Sequence, residues 1–216
     1  MLLAVDVSHF SINFADIAIR LGLYESAIRN VGYPIVPGFD VSGVISSVPR
    51  GCKDFKVGDH VYGATLFGGY SEKVSVPTEQ LRKIPKGITL KVAASLPAVS
   101  LTAIHALVIA GFTPNGLSKM KQGSNSTILV HSASGGVGGM LVQFAKLCGA
   151  TRVVGVVGRS EKVEYCKGLG ADVVVCKQGK TKKQWWGEVM EGNEGRGFKA
   201  VFDANGVETI KDSYER

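Results

Sequence analysis

The stretch Ser132-Ala133-Ser134-Gly135-Gly136-Val137-Gly138-Gly139 sits between the apolar run Thr127–Val130 and a segment with helical spacing. Small residues at such a bend let main-chain N–H groups approach an anion closely, and the positive end of a following helix adds to the attraction. The chemistry implied is capture of a diphosphate by Ser134, Gly135, Gly136, Val137 and Gly138. Gly135 gives the backbone room to reach the phosphates, and Gly138 lets helix and strand pack closely. Ala133 stands where the first glycine of the usual G-x-G-x-x-G pattern falls. A tight strand-to-helix turn without a ligand is the alternative.

About 20 residues further on, dinucleotide sites that take NAD carry an acid for the ribose hydroxyls. Here the second strand runs into Val157 and Gly158, followed by Arg159, Ser160 and Lys162. A guanidinium and an ammonium pair with a 2′-phosphate, which a carboxylate would repel. This pattern favours NADPH. The alternative is that both cations decorate a helix start, an end of the helix where cations are mildly disfavoured.

The elements needed to hold these residues can be read from periodicity. Residues 1–83 show strand-like runs punctuated by glycine, with Gly38, Gly43, Gly58, Gly63, Gly68 and Gly69 suited to the corners of a small β domain. A short helix is expected over 15–24, closed by Gly22. Helical spacing appears from Pro97, and residues 112–126 read as a turn-rich connector. From Thr127 onward strands and helices alternate: strand 127–132, helix 136–148, strand 152–157, a helix from near Ser160, strand 172–176, a helix across 182–192, strand 199–204. Such alternation implies right-handed crossovers and a parallel sheet. In the helix after the bend, Val137, Met140, Leu141, Phe144, Ala145 and Cys148 fall on one face. Gly149 fits a left-handed cap.

The 216 residues are 45% hydrophobic and 20% charged, with a net charge of +7, an ordinary globular composition. Lys177, Lys180, Lys182 and Lys183 form the one basic run, which reads as a solvated face rather than a nucleic-acid site. Cys52, Cys148, Cys166 and Cys176 lack metal-ligand spacing, and no apolar run is long enough to span a bilayer. Reduced thiols and a cytoplasmic location are expected.

The stretches INFADIAIRLGLY, PIVPGFDVSGVI, FKVGDHVYG, GGYSEKVSVP, AASLPAVSLTAIHAL, ILVHSASGGVGGMLVQFAKLCGA and LGADVVV together resemble the medium-chain dehydrogenase/reductase superfamily. More narrowly, they are similar to its zinc-independent, zeta-crystallin-like quinone oxidoreductase group. The resemblance implies an α/β chain with a GroES-like β-rich domain at 1–95 and a Rossmann doubly wound parallel sheet at 96–216, incomplete at its C-terminus. Zinc-dependent relatives need ligands where Asn13 and Phe39 stand here, so metal catalysis is not expected. The implied activity is hydride transfer from NADPH to a quinone or enone. Asn13 would line the nicotinamide and substrate pocket, Tyr24 its mouth, and Thr102 the nicotinamide side. Lys177 would lie near the adenosine phosphate and Asn205 near the nicotinamide ribose. Asn13 as a turn former, Tyr24 as a packed surface ring and Thr102 as a helix residue are the structural alternatives. Phe14 replaces a tyrosine of some relatives, which leaves water to supply the proton. The family is homodimeric, and its chains start earlier and run further. A shortened chain that binds NADPH or a partner without turnover is the second functional reading, and RNA binding the third.

Overall fold

The computed structural model describes residues 1–113 and 126–215. The expected connector at 112–126 therefore lies largely outside the described residues. The chain divides into two compact units, Met1–Ala98 and Val99–Arg216.

The first unit is a five-stranded sheet built from β1 (Leu2–Phe10), β2 (Asp40–Ser47), β3 (His60–Ala64), β4 (Lys73–Pro77) and β5 (Leu81–Lys83). Its order is β4-β1-β2-β3-β5, with every pairing antiparallel. Alternation of side chains drives Leu3, Val5, Val41, Ile45, Val61, Val76 and Leu81 into one core. Gly43 is required by close approach: a Cβ there would lie 2.0 Å from the Asp6 carbonyl oxygen of β1. Three short helices complete the unit: α1 (Phe14–Arg20), α2 (Glu25–Asn30) and α3 (Leu90–Ala94). The helix expected over 15–24 and closed by Gly22 is α1, which ends at Arg20 with Gly22 at φ +71° just beyond it; α2, beginning after Tyr24, lies outside that expectation. Helix α3 starts where the Thr89 side chain accepts from Val92 N–H.

The second unit opens with α4 (Pro97–Ile109), whose first two residues belong to the first unit. Four parallel strands follow: β6 (Thr127–Val130), β7 (Arg152–Val157), β8 (Val173–Cys176) and β9 (Ala200–Phe202), in the order β8-β7-β6-β9. This is the start of the doubly wound pattern. The chain winds outward from β6 through β7 to β8, then returns to the other side of β6 with β9. The crossover elements are α5 (Gly136–Leu147), α6 (Val163–Gly168) and α7 (Lys182–Gly192), with α8 (Ile210–Tyr214) after β9. The helix expected from near Ser160 is a 3₁₀ turn over Ser160–Lys162 running into α6. Thr181 and Gln184 close a reciprocal capping box at the start of α7. Strands β6 and β7 are almost wholly buried, as a parallel sheet covered on both faces requires.

The expected face of α5 packs into one core cluster, and Val142, outside the expected set, joins it. Leu141, Ala145 and Cys148 are buried, but so is Val142, while Val137, Met140 and Phe144 are half-buried. At Gly139 the missing Cβ lets Leu169 Cδ1 come within 3.1 Å of that position. Residues beyond α6 therefore cover a second flank of α5. Gly149 takes φ +84° after the helix and Ala150 N–H returns to Ala145 O. All four cysteines are free, with Cys148 and Cys166 buried.

Candidate functional site

In an open parallel sheet, ligands collect beyond the carboxyl ends of the strands, at the point where strand order reverses. That point here lies between β6 and β9. The loop after β6 is the glycine bend. Ser132 takes φ +51°, a left-handed conformation rare for a residue with a side chain. This turns the chain so that Gly135 N–H donates back to Ser132 O at 2.8 Å and Ala133 N–H donates to Val156 O at 3.0 Å. Gly135 caps α5 in an extended conformation. A Cβ on Gly138 would stand 2.2 Å from Ser132 O. Only glycine lets α5 begin this close to β6.

The first intrahelical bond of α5 runs from Gly139 N–H to Gly135 O at 2.7 Å. The N–H groups of Gly136, Val137 and Gly138 precede it and have no backbone acceptor among the described residues. Gly135 and Gly136 are exposed and Ser134 is half-buried, so side chains do not seal the bend. Three unused donors at the positive end of a twelve-residue helix fit an anionic diphosphate.

Four other sequence-derived candidates lie after the carboxyl ends of β7 and β8. Arg159 Nη1 lies 3.4 Å from Glu161 Oε1, both side chains well exposed. Glu161 is a nearby carboxylate that the reading of Arg159, Ser160 and Lys162 left out. An exposed pair of this kind is weak and exchangeable. Ser160 N–H donates to Gln178 Oε1 at 2.9 Å, tying the loop after β7 to the loop after β8. Lys177 N–H donates to Val157 O, and its ammonium stands 5.7 Å from the Trp185 ring centroid. Thr102 is exposed on α4, one turn beyond Val99. Val99 Cγ1 lies 2.9 Å from where a Cβ of Gly136 would be, so the start of α4 packs at the bend.

After β9, Asp203 is a turn former. Its Oδ1 accepts from Asn205 N–H, Gly206 N–H and Thr209 Oγ1, and its Oδ2 from Ser213 Oγ at 2.6 Å. Burial pushes its pKa up, but the hydrogen bonds from Ser213, Thr209 and Asn205 outweigh it, and the carboxyl ends below its usual range. Ser213 Oγ also lies 3.2 Å from Nε2 of the buried His131, whose pKa burial lowers against the pull of Asp203. Asn205 reaches back across the strand-order reversal: Ser132 Oγ donates to Asn205 Oδ1 at 2.7 Å.

Asn13 and Tyr24 belong to the first unit. Asn13 caps α1 and shares a capping box with Asp16, whose Oδ2 accepts from Asn13 N–H at 2.8 Å. The Asn13 amide nitrogen donates to Asp40 Oδ2 at 2.9 Å and to Ser11 Oγ at 3.1 Å. A carboxylate only accepts, so Asp40 fixes the amide with its nitrogen inward. Both N–H bonds are spent, and spare capacity remains only on the carbonyl oxygen. Sequence reasoning missed Asp16 and Asp40, which are 2% and 0% exposed. Asp40 Oδ1 accepts from Ala98 N–H at 2.7 Å and Asp16 Oδ1 from Gly38 N–H at 3.0 Å. Their signal in the sequence was an acid close after each non-ligating position, three residues beyond Asn13 and directly after Phe39.

Tyr24 packs with Phe39 and Phe67, at ring-centroid distances of 5.9 and 6.4 Å, and Phe39 and Phe67 meet at 5.3 Å. All three rings are half-buried. Phe67 takes φ +126°, and its carbonyl accepts from Thr65 Oγ1 at 2.6 Å. An aromatic cluster thus occupies the surroundings of Phe39. Among the described residues no group of three or more His, Cys, Asp or Glu could hold a metal ion, and no helix is long and apolar enough to cross a membrane.

Comparison with known proteins places these features. Residues 2–86 match the family described as alcohol dehydrogenase GroES-like domain, and residues 136–215 the family described as zinc-binding dehydrogenase. A chloroplast envelope quinone oxidoreductase homolog of Arabidopsis thaliana is 36% identical over 91% of this chain and 57% of its own length. An NADPH-dependent alkenal/one oxidoreductase of the same plant is 32% identical over 76% of this chain and 42% of its own. The Escherichia coli quinone oxidoreductase, solved in complex with NADPH, superimposes with a TM-score of 0.79 at 27% identity, over 98% of this chain and 60% of that one. The chain thus spans less than two-thirds of the length of these relatives. With both family matches, these relatives and the shared backbone in agreement, the chain belongs to the medium-chain dehydrogenase/reductase superfamily, in its zinc-independent quinone oxidoreductase-like group.

Proposed function

We propose that this chain binds NADPH and serves a reductase that passes hydride to a quinone or enone. The observation that carries the reading is the open bend before α5, with the amides of Gly136, Val137 and Gly138 free to hold the diphosphate. Arg159, Lys162 and Lys177 supply cations beyond the neighbouring strands, where a 2′-phosphate is to be held, and Ser160 shares that loop. We assign residues 96–216 to the nucleotide and residues 1–95 to the acceptor.

The nicotinamide, when bound, supplies the hydride. The protein's part is to orient and to exclude water. Neither Asn13 nor Phe39 polarises a carbonyl as a metal would, so the acceptor has to be activated by its own conjugation. The rings of Tyr24, Phe39 and Phe67 offer faces for such a planar acceptor. Asn13, held by Asp40 and Ser11, offers its carbonyl oxygen as a fixed hydrogen-bond acceptor. Phe14 has no hydroxyl, so solvent supplies the proton that completes the reduction.

A fluorescence titration with NADPH and NADH, followed by addition of a quinone, tests this. Tighter binding of NADPH by about tenfold or more, about 1.4 kcal/mol, together with oxidation on quinone addition, is expected. Preference for NADH removes the roles given to Arg159 and Lys162. Binding without oxidation turns the chain into a nucleotide-binding relative that does not catalyse.

A further inference from the structure

The contact between Ser132 and Asn205 joins residues 73 apart in sequence, at the one place in the parallel sheet where strand order reverses. Two separate observations mark it. Ser132 holds a left-handed backbone, φ +51°, that glycine would adopt at lower cost. A side chain at such a position is best explained by what the side chain does, and this one donates to Asn205 Oδ1 at 2.7 Å. At the other end of the same amide, Asn205 Nδ2 is buried without a hydrogen-bond partner in the protein. A buried amide donor without an acceptor is unfavourable until one arrives.

Resting on the nucleotide reading above, we propose that Ser132 is a positioning residue that clamps Asn205 across the crevice. The clamp fixes the amide so that its donor end is reserved for an oxygen on the nicotinamide-side ribose or its phosphate. Asp203 supports the same geometry from behind, because its Oδ1 accepts from Asn205 N–H at 2.9 Å and sets the loop. The clamp therefore acts on the nicotinamide half of the ligand and leaves the adenosine half untouched.

Two probes separate the halves: NADPH, and adenosine 2′,5′-bisphosphate, which lacks the nicotinamide side. Binding is read by calorimetry and folding by thermal melting. For Ser132→Gly the melting temperature is expected to hold or rise, since the backbone is relieved. NADPH binding is expected to weaken about 3- to 10-fold, the worth of one hydrogen bond, with the bisphosphate unchanged. A residue that merely supported the fold would not weaken binding while the fold gained. Asn205→Val is expected to repeat the selective loss. Asn205→Asp keeps an acceptor for Ser132 but sets a carboxylate toward the ligand, and is expected to lose more. Wild-type affinity for NADPH in Ser132→Gly and Asn205→Val overturns the clamp, and so does an equal loss for both probes. Failure of the unaltered chain to bind either probe overturns the nucleotide reading, and the clamp with it.

Discussion

His131 shows how burial decides the state of a single residue. It lies at the carboxyl end of β6 with its ring against Trp185 and Trp186, at 6.0 and 5.5 Å between centroids. Desolvation lowers its pKa, although Asp203 nearby pulls the other way. The imidazole is thus neutral when folded, whereas the unfolded chain takes up a proton near pH 6.5. Stability from this group is complete above that value and declines as pH falls below it, because the unfolded state binds more protons. Asp203, whose folded pKa is depressed, keeps its contribution until pH falls below the usual carboxylate range. Between about pH 4 and 6.5 His131 therefore contributes acid sensitivity to the fold. Urea midpoints are expected to fall from pH 7 to pH 5. His131→Gln is expected to flatten that slope, and an unchanged slope would place the titration elsewhere. Little of this was legible from the sequence. His131 reads only as a polar residue ending an apolar strand. Asp16 and Asp40 are defined by N–H groups of Gly38 and Ala98, 22 and 58 residues away.

At the scale of elements, the bend between β6 and α5 is the tightest joint near the candidate site. Gly138→Ala puts a Cβ 2.2 Å from Ser132 O and 2.9 Å from Ala133 Cα. Both neighbours are backbone, so α5 has to move off the sheet. A loss of about 1–3 kcal/mol is expected, together with NADPH binding weakened about tenfold or more, which is about 1.4 kcal/mol or above. Paired thermal melts and titrations measure both, and wild-type binding in this variant would show that the ligand does not use the bend. The strands and helices of the parallel sheet were readable because β6, β7 and β8 are continuous apolar runs and α5 and α7 are long enough to show a period. Helix α2, strand β5 and helix α8 escaped notice because 6, 3 and 5 residues carry no period to detect. Val142 was missed because it lies outside the i, i+3, i+4 series counted on α5, yet it is buried in the same core.

Across the whole molecule, the net charge is +7. Lys180 pairs with Glu188 at 2.5 Å, Lys182 with Asp212, and Lys177 stands over Trp185. Three of the four lysines in the run at 177–183 thus face separate partners. Both tryptophans lie in α7, stacked at 4.6 Å between centroids. Their emission reports on the second unit. NADPH at about 100 times its Kd is expected to stabilise the tryptophan-monitored transition by about 2.7 kcal/mol. No shift at that concentration would show that the ligand does not engage this unit. The thiols carry a last consequence. Burial raises the pKa of Cys148, and pushes that of Cys166 up to about 11. Quinones and enones are alkylating agents that add to thiolates. Keeping these two sulfurs protonated and enclosed would spare the core around α5 and α6 from Michael addition by the electrophiles the chain is proposed to disarm.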